Sequence, residues 1–125
     1  MKVALVSSYD LEGGAARAAY RLHEALRESG VDASMSVLYR SSESPDVHGG
    51  SGLGARLAAR VRWRVDHAPA QALGLPRGDF ALNWLHGDLA ARLRLMAPDV
   101  VHLHWLNAAF VSVAEIAALR QPVVW

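Results

Sequence analysis

Val3-Ala4-Leu5-Val6-Ser7-Ser8-Tyr9-Asp10-Leu11-Glu12-Gly13-Gly14-Ala15-Ala16-Arg17 is the stretch on which the fold turns. Val3 to Val6 is a short, continuous apolar run, the pattern of a strand buried on both faces of a parallel sheet. From Ala15 the period changes. Ala15, Ala18, Ala19, Leu22, Ala25 and Leu26 recur at helical spacing and predict one apolar stripe on a helix. Gly30 follows as the stop signal. Gly13 and Gly14 stand between strand and helix. A helix start leaves its first backbone N–H groups without partners, and glycine there lets an anion come close to them. The plainer reading of the same pair is a strand-to-helix turn, for which glycine is a common choice.

Working outward, Val31 leads into a second strand over Asp32 to Leu38, where Ala33, Met35 and Val37 alternate with Ser34 and Ser36. Strand, helix, strand in this order is a βαβ unit, whose crossover is right-handed. Asp46-Val47-His48 predicts a very short third strand at the sheet edge, and Gly49-Gly50-Ser51-Gly52 a flexible break. Leu53 to Val65 is helical again, with Leu53, Leu57, Val61 and Val65 in one row and Arg56, Arg60 and Arg64 in a parallel one. Arg62 lies off that row, and no acid occurs between Leu53 and Val65. The row reads as a solvated face or, more sharply, as a basic amphipathic helix resting on anionic lipid.

Ala68 to Asp79 contains Pro69, Gly74, Pro76 and Gly78 and predicts irregular structure. Asp88 is placed to cap a helix from Leu89 to Ala97, stopped by Pro98. Val100 to Trp105 predicts a strand with His102 and His104 on one face and Val101, Leu103 and Trp105 on the other. Ser112-Val113-Ala114-Glu115 is a capping box and starts a helix that runs to about Leu119. Val123-Val124-Trp125 begins another buried strand. The chain ends within it, so the pattern predicts a partial domain.

The 125 residues are enough for one domain with a core, and 52% hydrophobic against 20% charged residues is a globular composition. A formal net charge of +1 points to no nucleic-acid partner. The absence of cysteine excludes disulfides and thiolate metal sites. The apolar run after Lys2 is too short for a signal-peptide core or a membrane span, which predicts a cytoplasmic protein.

Two further sites are suggested by residue type and fall short in their partners. A dinucleotide fingerprint needs Gly-x-Gly-x-x-Gly and an acid at the end of the second strand. Here Ala16 and Arg17 stand where further glycines would help, and the strand ends in Leu38-Tyr39-Arg40, leaving Arg40 to meet a 2′-phosphate. His102 and His104 could share a metal, but zinc needs a third and usually a fourth ligand. No metal and no cofactor is expected.

Met1-Lys2-Val3-Ala4-Leu5-Val6-Ser7, followed by Gly13-Gly14-Ala15-Ala16-Arg17-Ala18-Ala19-Tyr20-Arg21-Leu22, resembles the start of a family 4 glycosyltransferase of the GT-B fold. Pro98-Asp99-Val100-Val101-His102-Leu103-His104-Trp105-Leu106-Asn107 is similar to a Pro-Asp-Ile-Ile-His-Leu-His-Trp-x-Asn stretch of that family, and Gln121-Pro122-Val123-Val124-Trp125 to the strand after it. Between Ser41 and Arg77 nothing carries over. The resemblance implies an α/β fold: a Rossmann-like parallel sheet in the order 3-2-1-4-5 with helices on both faces, truncated at the fifth strand. It would be the N-terminal, acceptor-side domain of a two-domain enzyme. That enzyme would move a sugar from a nucleotide diphosphate sugar to a glycan or lipid-linked acceptor, as in cell-envelope polysaccharide synthesis.

By the same resemblance Gly13 and Gly14 would meet donor phosphate and acceptor, helped by Arg17, while His104 and Asn107 would contact the acceptor. The family's spaced glutamate pair belongs to the C-terminal domain, so these residues alone are expected to be inactive. Apart from the resemblance, the row Arg56, Arg60 and Arg64, read as lipid-facing, would make a peripheral contact with anionic membrane at the inner face. The alternatives are a stand-alone Rossmann-like module that binds a nucleotide or sugar without chemistry, and a nicotinamide-dependent oxidoreductase.

Overall fold

The computed structural model describes residues 1–75 and 82–125. Five parallel strands form one sheet in the order β3-β2-β1-β4-β5: β1 (Lys2–Tyr9), β2 (Asp32–Tyr39), β3 (Val47–Gly50), β4 (Val100–Leu103) and β5 (Val123–Val124). This is the Rossmann-like α/β architecture expected from the sequence. The helices are α1 (Gly14–Glu28), α2 (Gly52–Ala72), α3 (Leu89–Met96) and α4 (Val113–Ala117).

β1 lies at the centre because it is apolar on both faces. Val3 and Leu5 pack with Ala19 of α1 and with Ala33, Met35 and Val37 of β2. Ala4 and Val6 face the other way, into Leu89 and Leu93 of α3, Val101 and Leu103 of β4, and Phe110 and Val111. Each fully buried valine, leucine, methionine or phenylalanine contributes roughly 1.5–3 kcal/mol, so these two clusters hold the layers together. On that second side, the serine face of β2 is covered by Arg92 of α3. Arg92 donates to the Val37 carbonyl at 2.9 Å, bonds Asp88 at 2.7 Å, and lies 5.3 Å from the Phe110 ring centroid.

Several expectations are corrected. The buried face of α1 is turned by about one residue: Ala16, Ala19 and His23 are buried, whereas Ala15, Ala18 and Ala25 are exposed. Small alanines do not mark a face as strongly as their spacing suggests, and the larger Tyr20, Leu22 and Leu26 set the orientation by packing at its border. Gly49 and Gly50 are not a flexible break but belong to β3, and a Cβ on Gly49 would come within 2.6 Å of Val37. The close approach of β3 to β2 therefore needs glycine.

Helix α2 does not stop at Val65. It continues through Ala68 and Pro69 to Ala72; Pro69 stands in the last turn, where its own carbonyl accepts from Leu73 N–H at 3.2 Å and its missing N–H removes one helical bond. Leu73 to Leu75 are irregular as expected, and the remainder of that stretch, 76 to 79, lies outside the described residues. Asp88 occupies the N-cap position of α3, but its side chain goes to Arg92. The Leu89 N–H is bonded instead by Glu115 from α4, at 3.2 Å. Glu115 also closes the expected capping box with Ser112, though α4 ends at Ala117, earlier than its pattern suggested. Finally, Val123 and Val124 are exposed rather than buried, since β5 sits at the sheet edge with β4 on one side.

Candidate functional site

Parallel strands all point their C-terminal ends the same way, and the chain leaves β1 and β4 in opposite directions across the sheet. Crevices form at such a switch point. Here the loop after β1 and the segment after β4 face each other there. The ladder between them outlasts the strands: His104 N–H bonds the Val6 carbonyl at 2.9 Å, and Ser8 N–H bonds the Trp105 carbonyl at 2.9 Å. The Ser8 hydroxyl then bridges Asn107 twice, donating to its carbonyl at 2.9 Å and accepting from its N–H at 2.7 Å.

The loop after β1 is held from beneath by Asp10, which is fully buried. Its carboxylate accepts from the N–H groups of Leu11, Ser41 and Ser42 at 2.7–3.1 Å. Asp10 thereby ties the loop after β1 to the loop after β2. Gly13 follows with φ 91° and ψ 168°, a conformation open essentially to glycine alone. Gly14 does not share that conformation, and space around it is open. The special backbone position is therefore Gly13, and Gly14 leaves room rather than relieving strain. Beyond them the N–H groups of Gly14, Ala15 and Ala16 have no partner within α1, as the first turn of any helix dictates. No acid lies in that first turn.

Gly13 to Ala16 line an open cleft of about 490 Å³ together with Tyr9, Glu12, Trp63, Trp105 and Asn107. Of the residues marked by sequence, Gly13, Gly14 and Asn107 come together here. Arg17 does not line the cleft; its Nε donates to the Leu11 carbonyl at 3.1 Å and braces the glycine loop from outside. His104 is also absent from the lining, packed against His102 with ring centroids 4.3 Å apart. Burial, and then the neighbouring His102, push the His104 imidazole below its ordinary range. Among the described residues no group of three or more histidine or acidic side chains could hold a metal. Arg40 donates to the Val47 carbonyl at 3.1 Å, so it braces β3 instead of facing a 2′-phosphate.

Three aromatic residues, Tyr9, Trp63 and Trp105, were not singled out by sequence. The alternation places Trp105 inside a strand, on the face of Val101 and Leu103. β4 ends at Leu103, and Trp105 is left 47% exposed in the cleft. Trp63 comes from α2 and stacks on His67 at 4.2 Å, while His67 Nδ1 lies 2.8 Å from the Trp63 carbonyl. Next to it, the buried Asp66 accepts from Leu82 N–H at 3.0 Å. A polar Asp66-His67 pair in an otherwise apolar and basic helix was the signal that could have marked this anchor. Glu12, at the rim, makes a half-exposed ion pair with Arg56 at 3.9 Å. Burial, and then Glu12, raise the Tyr9 phenol above its ordinary range, so Tyr9 keeps its proton and can donate.

The backbone just after Asn107 is strained. Ala108 and Ala109 are both buried and left-handed, with φ 56° and 51°. Arg62, the arginine off the row, turns inward and bonds the Ala109 carbonyl. The site can thus offer backbone donors to an anion, aromatic faces to a ring, and an amide for orientation. Comparison with known proteins returned no matching family model, no matching curated protein and no matching solved structure.

Proposed function

We propose that this chain is the acceptor-side domain of a GT-B glycosyltransferase of family 4. Its role would be to hold a glycan or lipid-linked acceptor beside the phosphate of a nucleotide diphosphate sugar. One observation carries the reading: Gly13, Gly14 and Asn107, which the resemblance marks independently in two distant stretches, line a single cleft at the switch point between β1 and β4. Backbone N–H groups at the start of α1 would face phosphate, and Trp63, Trp105 and Tyr9 would meet the apolar faces of sugar rings or a base.

The carboxylate that lines the cleft, Glu12, is engaged with Arg56. That favours binding and positioning as the work of these residues, in the enzyme or in a stand-alone binding module. Positioning alone is a large share of catalysis in such a two-domain enzyme. Arg17 would act through the glycine loop it braces, and His104 from behind the cleft wall.

The test is tryptophan fluorescence during titration with nucleotide diphosphate sugars and with short glycans. Saturable quenching is expected, and it should shrink in Trp63→Phe and Trp105→Phe. Gly14→Val should weaken nucleotide-sugar binding at least tenfold, because each charge-assisted backbone bond lost is worth roughly 1.5–3 kcal/mol. Unchanged affinity in Gly14→Val, with an unchanged melt, would mean that the pair is only a turn and would overturn the reading.

A further inference from the structure

A second, smaller cavity of about 240 Å³ lies between α2, the start of α3 and the segment after Asn107. Arg62 of α2 and Arg92 of α3 both line it, with His86 and Asp88 beside them and Leu38 and Phe110 as apolar walls. None of these residues lines the cleft, so the two openings are separate.

Neither arginine has its donors filled by the described residues. Arg62 uses one terminal nitrogen, Nη2, on the Ala109 carbonyl, and its Nε is buried with no partner among the described residues. Arg92 uses Nε on Asp88 and Nη1 on the Val37 carbonyl, which leaves Nη2. Asp88 is the acid in the lining, and Arg92 already pairs it at 2.7 Å. Among the described residues Arg62 makes no ion pair. The cavity therefore has two guanidinium groups against one engaged carboxylate.

A buried cationic donor without an acceptor is costly, and a bound ion is one way to satisfy it. Two guanidinium forks arriving from two helices suit an anion with oxygens on several sides. A planar carboxylate is filled by one fork, whereas a phosphate group has oxygens for both. Pockets for drug-sized ligands measure roughly 300–1,000 Å³, so this smaller cavity fits a phosphate group rather than a whole nucleotide. The walls of Leu38 and Phe110 lower the local dielectric and strengthen such charge-assisted bonds.

We propose that this cavity is a phosphate-binding pocket, in which Arg62, Arg92 and His86 hold a phosphate group, free or at the end of a small monoester. Its occupant would fasten α2 to α3, and with α2 the neighbouring Trp63 in the cleft wall. The inference stands on the arginine pair and does not rest on the reading of the cleft.

The experiment follows the thermal melt and isothermal titration calorimetry of the full chain with inorganic phosphate, glycerol phosphate and acetate, at constant ionic strength. Saturable stabilisation by phosphate or glycerol phosphate is expected, with acetate at least tenfold weaker. The tighter of the first two tells whether the free ion or the monoester is the natural occupant. Arg62→Gln should weaken binding at least tenfold. His86→Gln, at an exposed residue, should leave the fold intact and weaken binding about fivefold; it decides the matter if Arg62→Gln does not fold. Arg60→Gln with Arg64→Gln, elsewhere on the same helix, should change nothing. No saturable binding, equal binding of acetate, or unchanged binding in His86→Gln would overturn the proposal. So would an equal loss in the Arg60 and Arg64 variant, which would mean diffuse attraction to the basic helix. Gly14→Val separates this pocket from the cleft. Phosphate binding should persist in that variant; if it is lost there and kept in Arg62→Gln, the phosphate sits at the glycine loop, the pocket is refuted and the cleft reading stands.

Discussion

Helices α1 and α2 carry similar apolar patterns and lead opposite lives. α1 crosses between the adjacent strands β1 and β2 and packs against them through Ala16, Ala19 and His23. α2 follows an edge strand, meets the body of the protein through Ala59, Asp66, His67 and Arg62, and leaves its leucines and valines in solvent. Periodicity tells which residues share a face. It does not tell what that face meets, because burial depends on what else the chain places nearby.

The largest expected effect on stability comes at the α1 side of the sheet. Leu5 is fully buried between α1 and β2, and Leu5→Ala should destabilise by about 2–5 kcal/mol in denaturant unfolding. A loss below about 1 kcal/mol there would mean that this layer is loosely packed and the contrast with α2 is weaker than the exposures imply.

A smaller effect separates the two glycines that lead into α1. Gly13→Val should cost about 1–3 kcal/mol, because valine cannot comfortably adopt φ 91° with ψ 168°. Gly14→Val meets open space and ordinary backbone, so its melt should stay near that of the unchanged protein. Equal destabilisation by the two would show that the loop is strained as a whole.

His23 gives a pH test of the same helix. It is 1% exposed, and burial first of all holds its imidazole below the ordinary value of 6.5, even though the Ala33 backbone pulls the other way. The unfolded chain then binds a proton more readily than the folded one. Stability from this group is full above 6.5 and declines as the pH falls below it. His23→Leu should flatten that decline in melts between about pH 5 and 7, leaving the part due to His104, which is shifted the same way by burial. An unchanged slope would mean that His23 is reached by water.

The smallest effect belongs to α2. Leu57→Ser alone should change stability by no more than about 0.5 kcal/mol, since Leu57 is 63% exposed. A larger loss in the melt would show that the apolar row packs against protein after all.

The two halves of the cleft were unequally legible. Gly13 and Gly14 stand out because only glycine permits that backbone and that open approach. Asn107 was marked by resemblance and then placed by Ser8, which grips its backbone from β1. Trp63 and Trp105 escaped notice for different reasons. Trp105 obeys the alternation of a strand that ends before reaching it, and Trp63 reaches the cleft from a helix distant in sequence. His104 and Arg17 lie close to the right place along the chain, yet neither lines the cleft: Arg17 bonds the Leu11 carbonyl and His104 packs against His102.

What the sequence determined by itself is the local alternation of strand and helix, which leaves few sheet orders open. Apolar runs bounded by glycine, the capping box at Ser112 and the short crossover after β1 are near-neighbour properties, and connections of that kind allow few topologies. The tertiary structure alone decided which faces are covered. The outward turn of α2, the rotation of α1 onto His23, the exposed β5 and the loan of Glu115 to the start of α3 all depend on residues far apart in the chain. Burial and hydrogen-bond satisfaction are settled between elements, so no window of sequence contains them.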